Sequence, residues 1–380
     1  MKTTKHKTIE IMALAIGILI RTATASAFID SWTTNTFCAA SSPTKSYTRT
    51  TVAHSLQCAI VKGTNLVWCN TLQLAWRKLC LVAGDKVGLY PPVPLLTEIT
   101  NNTISLNDID NDSVVVEAGI VGSGILETLQ KELALRSKEN VDATWFANLS
   151  PGDVVVYSYL SKCLPFRWSF SRFHALSVFA GTPVESFGIE EFLDEQRNEV
   201  QMATQVSILD YADESNIVVE LKTSCHEDVL ILAMIPPEKS LGNTISSVYQ
   251  RISCGKASTI RETESLCVPV IDIDILRRYA ELENKQIIGS TGLFAGATIG
   301  IAVQTTRFHL DERGTRVESR TVFASGLPSR KLIFDKPFLV ILSRRHAKNP
   351  YFVLWIDNTE VLVPCTGESG VMKPVPGMEQ

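Results

Sequence analysis

Residues 308–342 read FHLDERGTRVESRTVFASGLPSRKLIFDKPFLVIL, and this stretch decides the fold prediction. It links the end of a strand-like run, 299–310, to a second apolar run that ends near residue 342. Runs rich in β-branched and aromatic residues predict strands, whereas a succession of charged, hydroxyl and glycine residues predicts a loop. The stretch therefore predicts two strands joined by a long loop between Gly314 and Phe334.

The rest of the chain changes character along its length. Helical periodicity dominates the first third, and strand patterns dominate the remainder. This order predicts an α+β fold rather than repeated βαβ units. The predicted helices cover 52–61, 68–82, 125–135 and 244–252. The predicted strands cover 113–120, 153–160, 205–211, 216–222, 229–235, 268–275, 299–310, 332–342 and 351–363.

Three segments near the C-terminus together resemble the serpin family. Phe308–Thr315 is similar to the end of the long serpin strand, where an acidic pair, a glycine and a threonine begin the hinge of a loop. Phe334–Leu342 is similar to the Pro-Phe strand that follows that loop, and Asn349–Ile356 is similar to the closing strand. The family usually has glycine where Leu354 stands.

Upstream segments extend the resemblance in the same order. Val218–Lys222 and Val229–Pro236 are similar to paired strands that precede a helix, and Val268–Ile275 is similar to the strand that the family places next. The resemblance covers about residues 52 to 363. It implies one serpin-like α+β domain, over residues 51–365, with large mixed β-sheets, several helices packed mainly from the N-terminal part, and an exposed reactive-centre loop.

The resemblance also implies roles for residues of the loop. The hinge residues would be Glu312, Gly314, Thr315, Val317 and Ser319. Counting from the hinge places the cleaved bond near Pro328 and Ser329. Arg330 and Lys331 are a chemically better bait, because an exposed arginine suits an acidic specificity pocket. The alternative for these two basic residues is a solvated turn before the next strand.

Serpins inhibit when a protease cuts this loop and the loop then enters a sheet as a new strand. Side chains that turn inward must be small, and alternate residues share a face. Here Thr315, Val317, Ser319, Thr321 and Phe323 would share one face, so the alternation permits a strand. Phe323 is bulky for such a position, and overpacking costs roughly 1–3 kcal/mol.

Two further features bear on inhibition. The loop is shorter than in the family's inhibitors, and residues 138–152 leave too little chain for the helix that the family places across its large sheet. The sequence therefore leaves two functions open. One is a non-inhibitory or divergent secreted serpin, and the other is an active serine-type endopeptidase inhibitor that acts as a suicide substrate through residues 314–333. A serine or cysteine protease is the expected partner, and we expect no enzymatic activity and no catalytic residues.

The N-terminal segment has the order of a secretory signal peptide. Lysines precede an apolar run, 11–20, that is too short to span a bilayer, and Ala25–Ala27 provides a cleavage pattern of small residues. The alternatives are a short buried helix and an uncleaved anchor. We expect a signal peptide over 1–27, a loose lead-in over 28–50, a flexible tail over 366–380, and a secreted, extracellular protein.

The motifs that are missing from the sequence exclude several classes of function. There is no C-x-x-C, H-x-x-x-H or G-x-S-x-G and no dinucleotide-binding glycine pattern, so we expect no metal site and no cofactor. A net charge of −4 gives no footprint for nucleic acid. No segment after the leader is apolar enough for stable membrane insertion. We expect a monomer.

Nine cysteines remain to be explained, and an odd number leaves at least one thiol without an intramolecular partner. Cys254 and Cys267 flank a short polar stretch, which favours a local disulfide between them. Cys58, Cys69 and Cys80 recur every eleven residues, which would place them on one face of a continuous helix.

Overall fold

The apolar runs of the sequence fold into strands that are covered by helices and by other sheets. The computed structural model describes residues 45–84, 87–100, 108–136, 146–190, 197–313 and 330–365. The strands are β1 (Thr50–Ala53), β2 (Asn65–Cys69), β3 (Gly88–Tyr90), β4 (Val114–Ile120), β5 (Val154–Cys163), β6 (Ser171–Phe179), β7 (Thr182–Ile189), β8 (Val206–Asp213), β9 (Asn216–Leu221), β10 (Asp228–Met234), β11 (Ser258–Thr259), β12 (Ser265–Pro269), β13 (Ile271–Arg278), β14 (Gln286–Ile288), β15 (Ile299–Leu310), β16 (Lys331–Ile333), β17 (Phe338–Arg344) and β18 (Phe352–Ile356). The helices are α1 (Thr71–Ala83), α2 (Pro94–Thr100), α3 (Ile125–Arg136), α4 (Arg197–Ala203) and α5 (Leu241–Cys254).

In the described residues the strands form three larger sheets and one two-stranded ribbon. Sheet 1 has eight strands in the order β1-β2-β18-β17-β10-β9-β8-β11. Sheet 2 has the order β13-β15-β5-β4, and sheet 3 has the order β16-β12-β7-β6. β14 and β3 pair as a ribbon. β18 and β17, which come last in the chain, lie between β2 and β10 in sheet 1. The C-terminal strands are therefore enclosed by strands from earlier parts of the chain.

The strands β2, β17 and β18 explain why the C-terminal sequence is almost continuously apolar. All residues of β2 and β18 are buried, and so are the first five of β17. Strands that are covered on both faces need apolar side chains at every position rather than at alternate ones. Phe308 of β15 packs on Phe352 of β18 with ring centroids 4.9 Å apart, and this contact joins sheet 2 to sheet 1.

Sheet 2 is packed between two helices. Val154 and Val156 of β5 belong to the apolar cluster that contains α1, whereas Val155 and Tyr157 belong to the cluster that contains α3. Successive side chains of a strand point to opposite faces, so α1 and α3 cover opposite faces of the sheet. α1 has no acidic residue in its first turn and no side-chain cap, and its buried side chains stabilise it instead.

Most of the predicted elements are confirmed. The predicted strand 299–310 coincides with β15, and the predicted helices 125–135 and 244–252 lie within α3 and α5. The predicted strands 113–120 and 153–160 correspond to β4 and β5. The three strands predicted over 205–235 are β8, β9 and β10, which are neighbours in sheet 1. The α+β class is therefore confirmed.

The prediction of a helix over 52–61 is wrong. Thr50–Ala53 forms β1 and pairs in parallel with β2, and a turn follows it. Thr51 and Val52 are β-branched, and pairing with a buried strand favours the extended conformation for such residues. The predicted helix 68–82 begins later, at Thr71, because Trp68 is part of β2. β6 and β7 have no counterpart among the predicted strands.

The predicted disulfide between Cys254 and Cys267 is wrong, and the three evenly spaced cysteines do not share a helix. Cys58 lies in the turn after β1, Cys69 lies in β2 and Cys80 lies in α1, so no single helix carries all three. Cys254 is an exposed free thiol at the end of α5, and the disulfide with Cys267 is not formed. Proximity in sequence does not bring the two residues together because one ends a helix and the other lies in sheet 3.

None of the helices in the described ranges is long and apolar enough to cross a membrane.

Asn65 joins the beginning of the described chain to its end. Its side-chain amide is fully buried and donates to Thr50 Oγ1 at 3.0 Å and to Asn358 Oδ1 at 2.8 Å. Its side-chain oxygen accepts from the backbone N–H groups of Asp357 and Asn358, at 2.8 and 2.9 Å. Asn65 therefore satisfies buried donors that water does not reach.

We expect Asn65→Ala to lower the free energy of unfolding by about 2–4 kcal/mol, because it leaves several buried polar groups without partners. Urea unfolding followed by tryptophan fluorescence measures the change. Gln250→Ala, at an exposed position of α5, is the matched control and should change the same free energy by less than about 0.5 kcal/mol. Equal effects of the two substitutions would contradict this role of Asn65.

Candidate functional site

The candidate site consists of the two ends of the predicted loop and the strands that hold them. Glu312 lies just after β15, Arg330 lies just before β16, and Lys331 is the first residue of β16. The other predicted site residues lie outside the described residues: Gly314, Thr315, Val317, Ser319, Pro328 and Ser329. So do the predicted signal peptide over 1–27, most of the lead-in over 28–50 and the tail over 366–380.

β15 and β5 are direct neighbours in sheet 2. They pair in parallel from Ile299 opposite Val154 to His309 opposite Cys163. The outer contacts of the sheet, β13 with β15 and β4 with β5, are antiparallel. A strand that turned back from the end of β15 and entered between β15 and β5 would run antiparallel to both of them. In this structure β15 and β5 are hydrogen-bonded directly to each other, so no strand lies between them.

The chain is held where it leaves β15. Phe170 N–H donates to the Glu312 carbonyl at 3.1 Å, and Ser169 Oγ donates to the same oxygen at 2.6 Å. Phe166 N–H donates to the Arg313 carbonyl at 3.3 Å. The backbone at 312–313 is thus bonded to the segment that follows β5.

The Glu312 side chain adds an ion pair to these backbone bonds. Its Oε2 lies 2.6 Å from Nη1 of Arg172 in β6, and the other end of that guanidinium bonds Glu185 in β7. Arg172 therefore links the start of the loop to sheet 3.

A histidine with two carboxylates lies next to this exit. His309 Nδ1 is 3.3 Å from Asp272 Oδ1, and His309 Nε2 is 2.9 Å from Asp311 Oδ2. Burial by itself would lower the pKa of His309, but the hydrogen bonds and charges of the two carboxylates outweigh burial and raise that pKa to about 9. The hydrogen bond with His309, aided by Lys45 and opposed by burial, lowers the pKa of Asp272 to about 2.

Further ion pairs extend this group along the same strands. Arg313 Nε lies 2.7 Å from Asp311 Oδ2. Arg307 Nε donates to Asp274 Oδ1 at 3.0 Å, directly across the β13–β15 pair. We call His309, Asp272, Asp311, Arg313 and Lys45 the exit cluster.

Arg330, the predicted bait arginine, is bound to the body of the protein. Its Nε lies 2.6 Å from Oε1 of Glu264 and its Nη2 lies 3.0 Å from Oε2, so the pair is bidentate. Its Nη1 also donates to Ser258 Oγ at 3.1 Å, and its guanidinium carbon lies 5.7 Å from the centre of the Tyr211 ring. The Glu264 side chain is only 4% exposed. A protease that used Arg330 as bait would have to break this ion pair first.

Lys331 is exposed, but its backbone belongs to β16. That strand pairs in parallel with β12, with Lys331 opposite Ser265. A protease binds the residues on both sides of the cleaved bond in an extended conformation, so cleavage after Arg330 would also require β16 to leave sheet 3.

The residues that hold the two ends of the predicted loop were not among the predicted site residues. Asp272 and Asp274 are polar residues that alternate with isoleucines in the predicted strand 268–275, and in the structure they face His309 and Arg307 across the β13–β15 pair. That alternation was the available signal. No sequence pattern pointed to Glu264, because only the packing of sheet 3 brings it to Arg330. Among the described residues no cluster of histidine, cysteine, aspartate and glutamate could hold a metal ion.

No family model matches the chain, and no curated protein sequence matches it. Similar solved structures are serpins. Serpin48 from the insect Tenebrio molitor matches at 10% identity, over 77% of this chain and 92% of that one, with a TM-score of 0.41. SRPN18 from Anopheles gambiae matches at 11%, over 80% and 92%, with a TM-score of 0.47. Maspin matches at 10%, over 77% and 92%, with a TM-score of 0.48.

At these identities and TM-scores, the similarity assigns no activity and no residue role to this chain. The described chain has an α+β fold with mixed sheets, which is the class that the sequence predicts.

We expect the exit cluster to make stability depend on pH. Because its pKa is raised, His309 contributes fully to the free energy of unfolding below pH 6.5, and this contribution is lost as the pH rises through about 9. The lowered pKa of Asp272 means that its contribution is present above pH 3.8 and is lost as the pH falls toward about 2. Urea unfolding should therefore show that the free energy of unfolding declines from pH 6.5 to pH 9.5, and that this decline is smaller in His309→Gln. His346→Gln, at an exposed position, should keep the decline of the unchanged protein, and an identical decline in His309→Gln would contradict the assignment.

We expect Glu264→Gln to expose Arg330 to proteolysis, because it removes the charge that holds the guanidinium. Limited trypsin digestion with mass analysis of the fragments should show cleavage after Arg330 at least about tenfold faster than in the unchanged protein. Glu262→Gln, which changes an exposed carboxylate two residues away, is the matched control. If cleavage after Arg330 is as fast in the unchanged protein as in Glu264→Gln, the ion pair does not protect this bond.

Proposed function

We propose that this chain is a secreted serpin-fold protein whose loop is cut as an ordinary substrate and does not inhibit by strand insertion. Under this proposal residues 1–27 are a leader that is removed, residues 51–365 form the domain, and residues 366–380 are a tail. The hinge residues begin the loop, as the resemblance implies, whereas Arg330 and Lys331 are held by Glu264 and by β16 and do not act as bait. A serine or cysteine protease is the partner that meets the loop.

The observation that carries this proposal is the anchoring of Arg330 on Glu264. With this arginine bound and β16 paired, the basic residues that remain for a trypsin-like protease between the two anchors are Arg316 and Arg320. Cleavage there leaves only 314–316 or 314–320 on the hinge side. β15 is twelve residues long, so such a fragment could cover only part of the strand it must pair with.

The ladder between β5 and β15 also supports a non-inhibitory function. Insertion has to separate these strands, which are paired from Ile299 to His309, by one strand spacing, about 4.8 Å. The separated side chains are packed against α1 and α3 on the two faces. A cleaved loop that is short or bulky returns too few new hydrogen bonds to offset that disruption.

Inhibition remains the second candidate, and one observation favours it. The contact of β15 with β5 is parallel, whereas the outer contacts of sheet 2 are antiparallel. A loop strand between them would replace one parallel ladder by two antiparallel ladders, and antiparallel pairing is slightly more stable per residue. This gain is the driving force that an inhibitor would use.

Incubation with trypsin distinguishes the two functions. We expect cleavage between residues 314 and 330, full recovery of trypsin activity, no protein–protease complex that survives denaturing electrophoresis, and no rise in Tm after cleavage. A complex that survives denaturation would overturn the proposal in favour of inhibition. Recovery of the protein from culture medium with Phe28 as its first residue tests the leader separately.

A matched variant separates fragment length from side-chain bulk. In Arg316→Gln/Arg320→Gln/Glu264→Gln, cleavage moves to Arg330 and leaves 314–330 on the hinge side. A rise in Tm after cleavage of this variant alone would show that length is the limit in the unchanged protein. If Tm stays constant, adding Phe323→Ala tests whether bulk is the remaining obstacle.

A further inference from the structure

A cysteine, a histidine and a glutamate lie together far in sequence from the loop. His54 and Cys58 belong to the turn after β1, and Glu98 belongs to α2. Nε2 of His54 is 2.6 Å from Oε2 of Glu98. The Cys58 sulfur lies 3.5 Å from Nε2 and 3.8 Å from Nδ1 of the same ring. We call these three residues the thiol cluster.

The backbone around the thiol cluster is fixed from several sides. The buried Gln73 side chain of α1 donates to the His54 carbonyl at 3.0 Å. Leu241 N–H, at the start of α5, donates to the Cys58 carbonyl at 3.2 Å. Ser55 Oγ donates to Glu98 Oε2 at 3.2 Å, which gives that carboxylate a second partner. The three side chains are therefore held by separate elements of the fold and do not depend on the turn alone.

A cavity of about 330 Å³ opens beside the cluster, and His54 and Cys58 lie on its wall. Small and aliphatic side chains make up most of the rest of the wall, and Arg277 is its one strongly polar member. The volume is at the lower end of the range for small-molecule sites, roughly 300–1,000 Å³. Cys58 is half-buried and free, and it lines a space that a small reagent can enter.

We propose that Cys58 is a reactive thiol that exchanges with small disulfides of the glutathione type in this cavity. A neutral His54 that donates Nε2–H to the Glu98 carboxylate leaves Nδ1 free to accept a proton. This is the arrangement of a nucleophile, a base and a group that orients the base. The proposal concerns a different part of the molecule from the loop and does not depend on the proposed function.

The exchange is balanced without any further reagent. Nδ1 of His54 takes the proton from the Cys58 thiol, and the sulfur attacks one sulfur of glutathione disulfide. The disulfide bond of the reagent breaks as the bond between Cys58 and one glutathionyl group forms. The second glutathione leaves as a thiolate and takes the proton back from His54. The products are a mixed disulfide on the protein and one molecule of glutathione.

Two other thiols of the chain provide internal comparisons. Cys254 is exposed, and its sulfur lies 3.9 Å from the hydroxyl oxygen of the neighbouring Ser253. Burial and the nearby Asp228 carboxylate raise the pKa of the Cys225 thiol. Accessibility alone predicts that Cys254 reacts fastest, whereas the thiol cluster predicts that Cys58 does.

The test incubates the full-length chain with glutathione disulfide at pH 6.5 and measures the adduct on each cysteine peptide by mass spectrometry. We expect Cys58 to be modified at least about tenfold faster than Cys254, because an unassisted thiol is mostly protonated at this pH. Cys225 should be slower than both. Modification of Cys58 at or below the rate of Cys254 would overturn the proposal.

Variants separate assistance by His54 from simple accessibility. His54→Gln should lower the rate at Cys58 at least about tenfold and leave the rate at Cys254 unchanged. Glu98→Gln, at a partly exposed position of α2, should give a smaller decrease. An unchanged rate at Cys58 in His54→Gln would overturn the proposal.

A pH profile of the unchanged protein gives a result that does not depend on how the variants fold. Between pH 8.5 and 6.5 the rate at an unassisted thiol falls roughly fiftyfold, in step with its thiolate fraction. We expect the rate at Cys58 to fall less steeply than this, by less than about tenfold, and less than the rate at Cys254. Parallel declines at the two cysteines would overturn the proposal.

Discussion

The parallel contact between β5 and β15 is the constraint on which the arrangement of the candidate site depends. Because parallel strands end at the same edge of a sheet, the chain that follows β5 and the chain that follows β15 emerge side by side. Phe166 and Phe170 are therefore within hydrogen-bonding distance of Glu312 and Arg313. The same contact marks the centre of sheet 2, where a strand that turned back from β15 would run antiparallel to both neighbours.

A single stretch of chain, from Glu264 to Arg278, holds both ends of the loop. It forms β12 of sheet 3 and β13 of sheet 2, with Val270 between them. Glu264, just before β12, binds Arg330, and Asp272, in β13, binds His309. The charged residues at both ends of the predicted loop are thus paired with residues of one continuous stretch of chain.

The thiol cluster belongs to a different part of the molecule, where β1, α2 and the start of α5 meet. His54 and Cys58 are four residues apart, yet they lie in a turn and not on a helix. The turn exists because Thr50–Ala53 pairs with β2 and Leu241 bonds the Cys58 carbonyl. The error in the predicted helix over 52–61 and the missed cluster have the same cause: contacts with distant residues override the local helical pattern.

The sequence by itself determined the strands whose apolar residues must be buried, such as Ile299–Leu310, and the amphipathic helix at 125–135. It also determined the α+β class. These features depend on local periodicity and on the alternation of side chains along a strand. The tertiary structure alone decided that Arg330 is bound to Glu264, that β15 lies against β5, and that Glu98 reaches His54. Each of these contacts joins residues distant in the chain, and their pairing follows from how the sheets and helices pack, which no local pattern records.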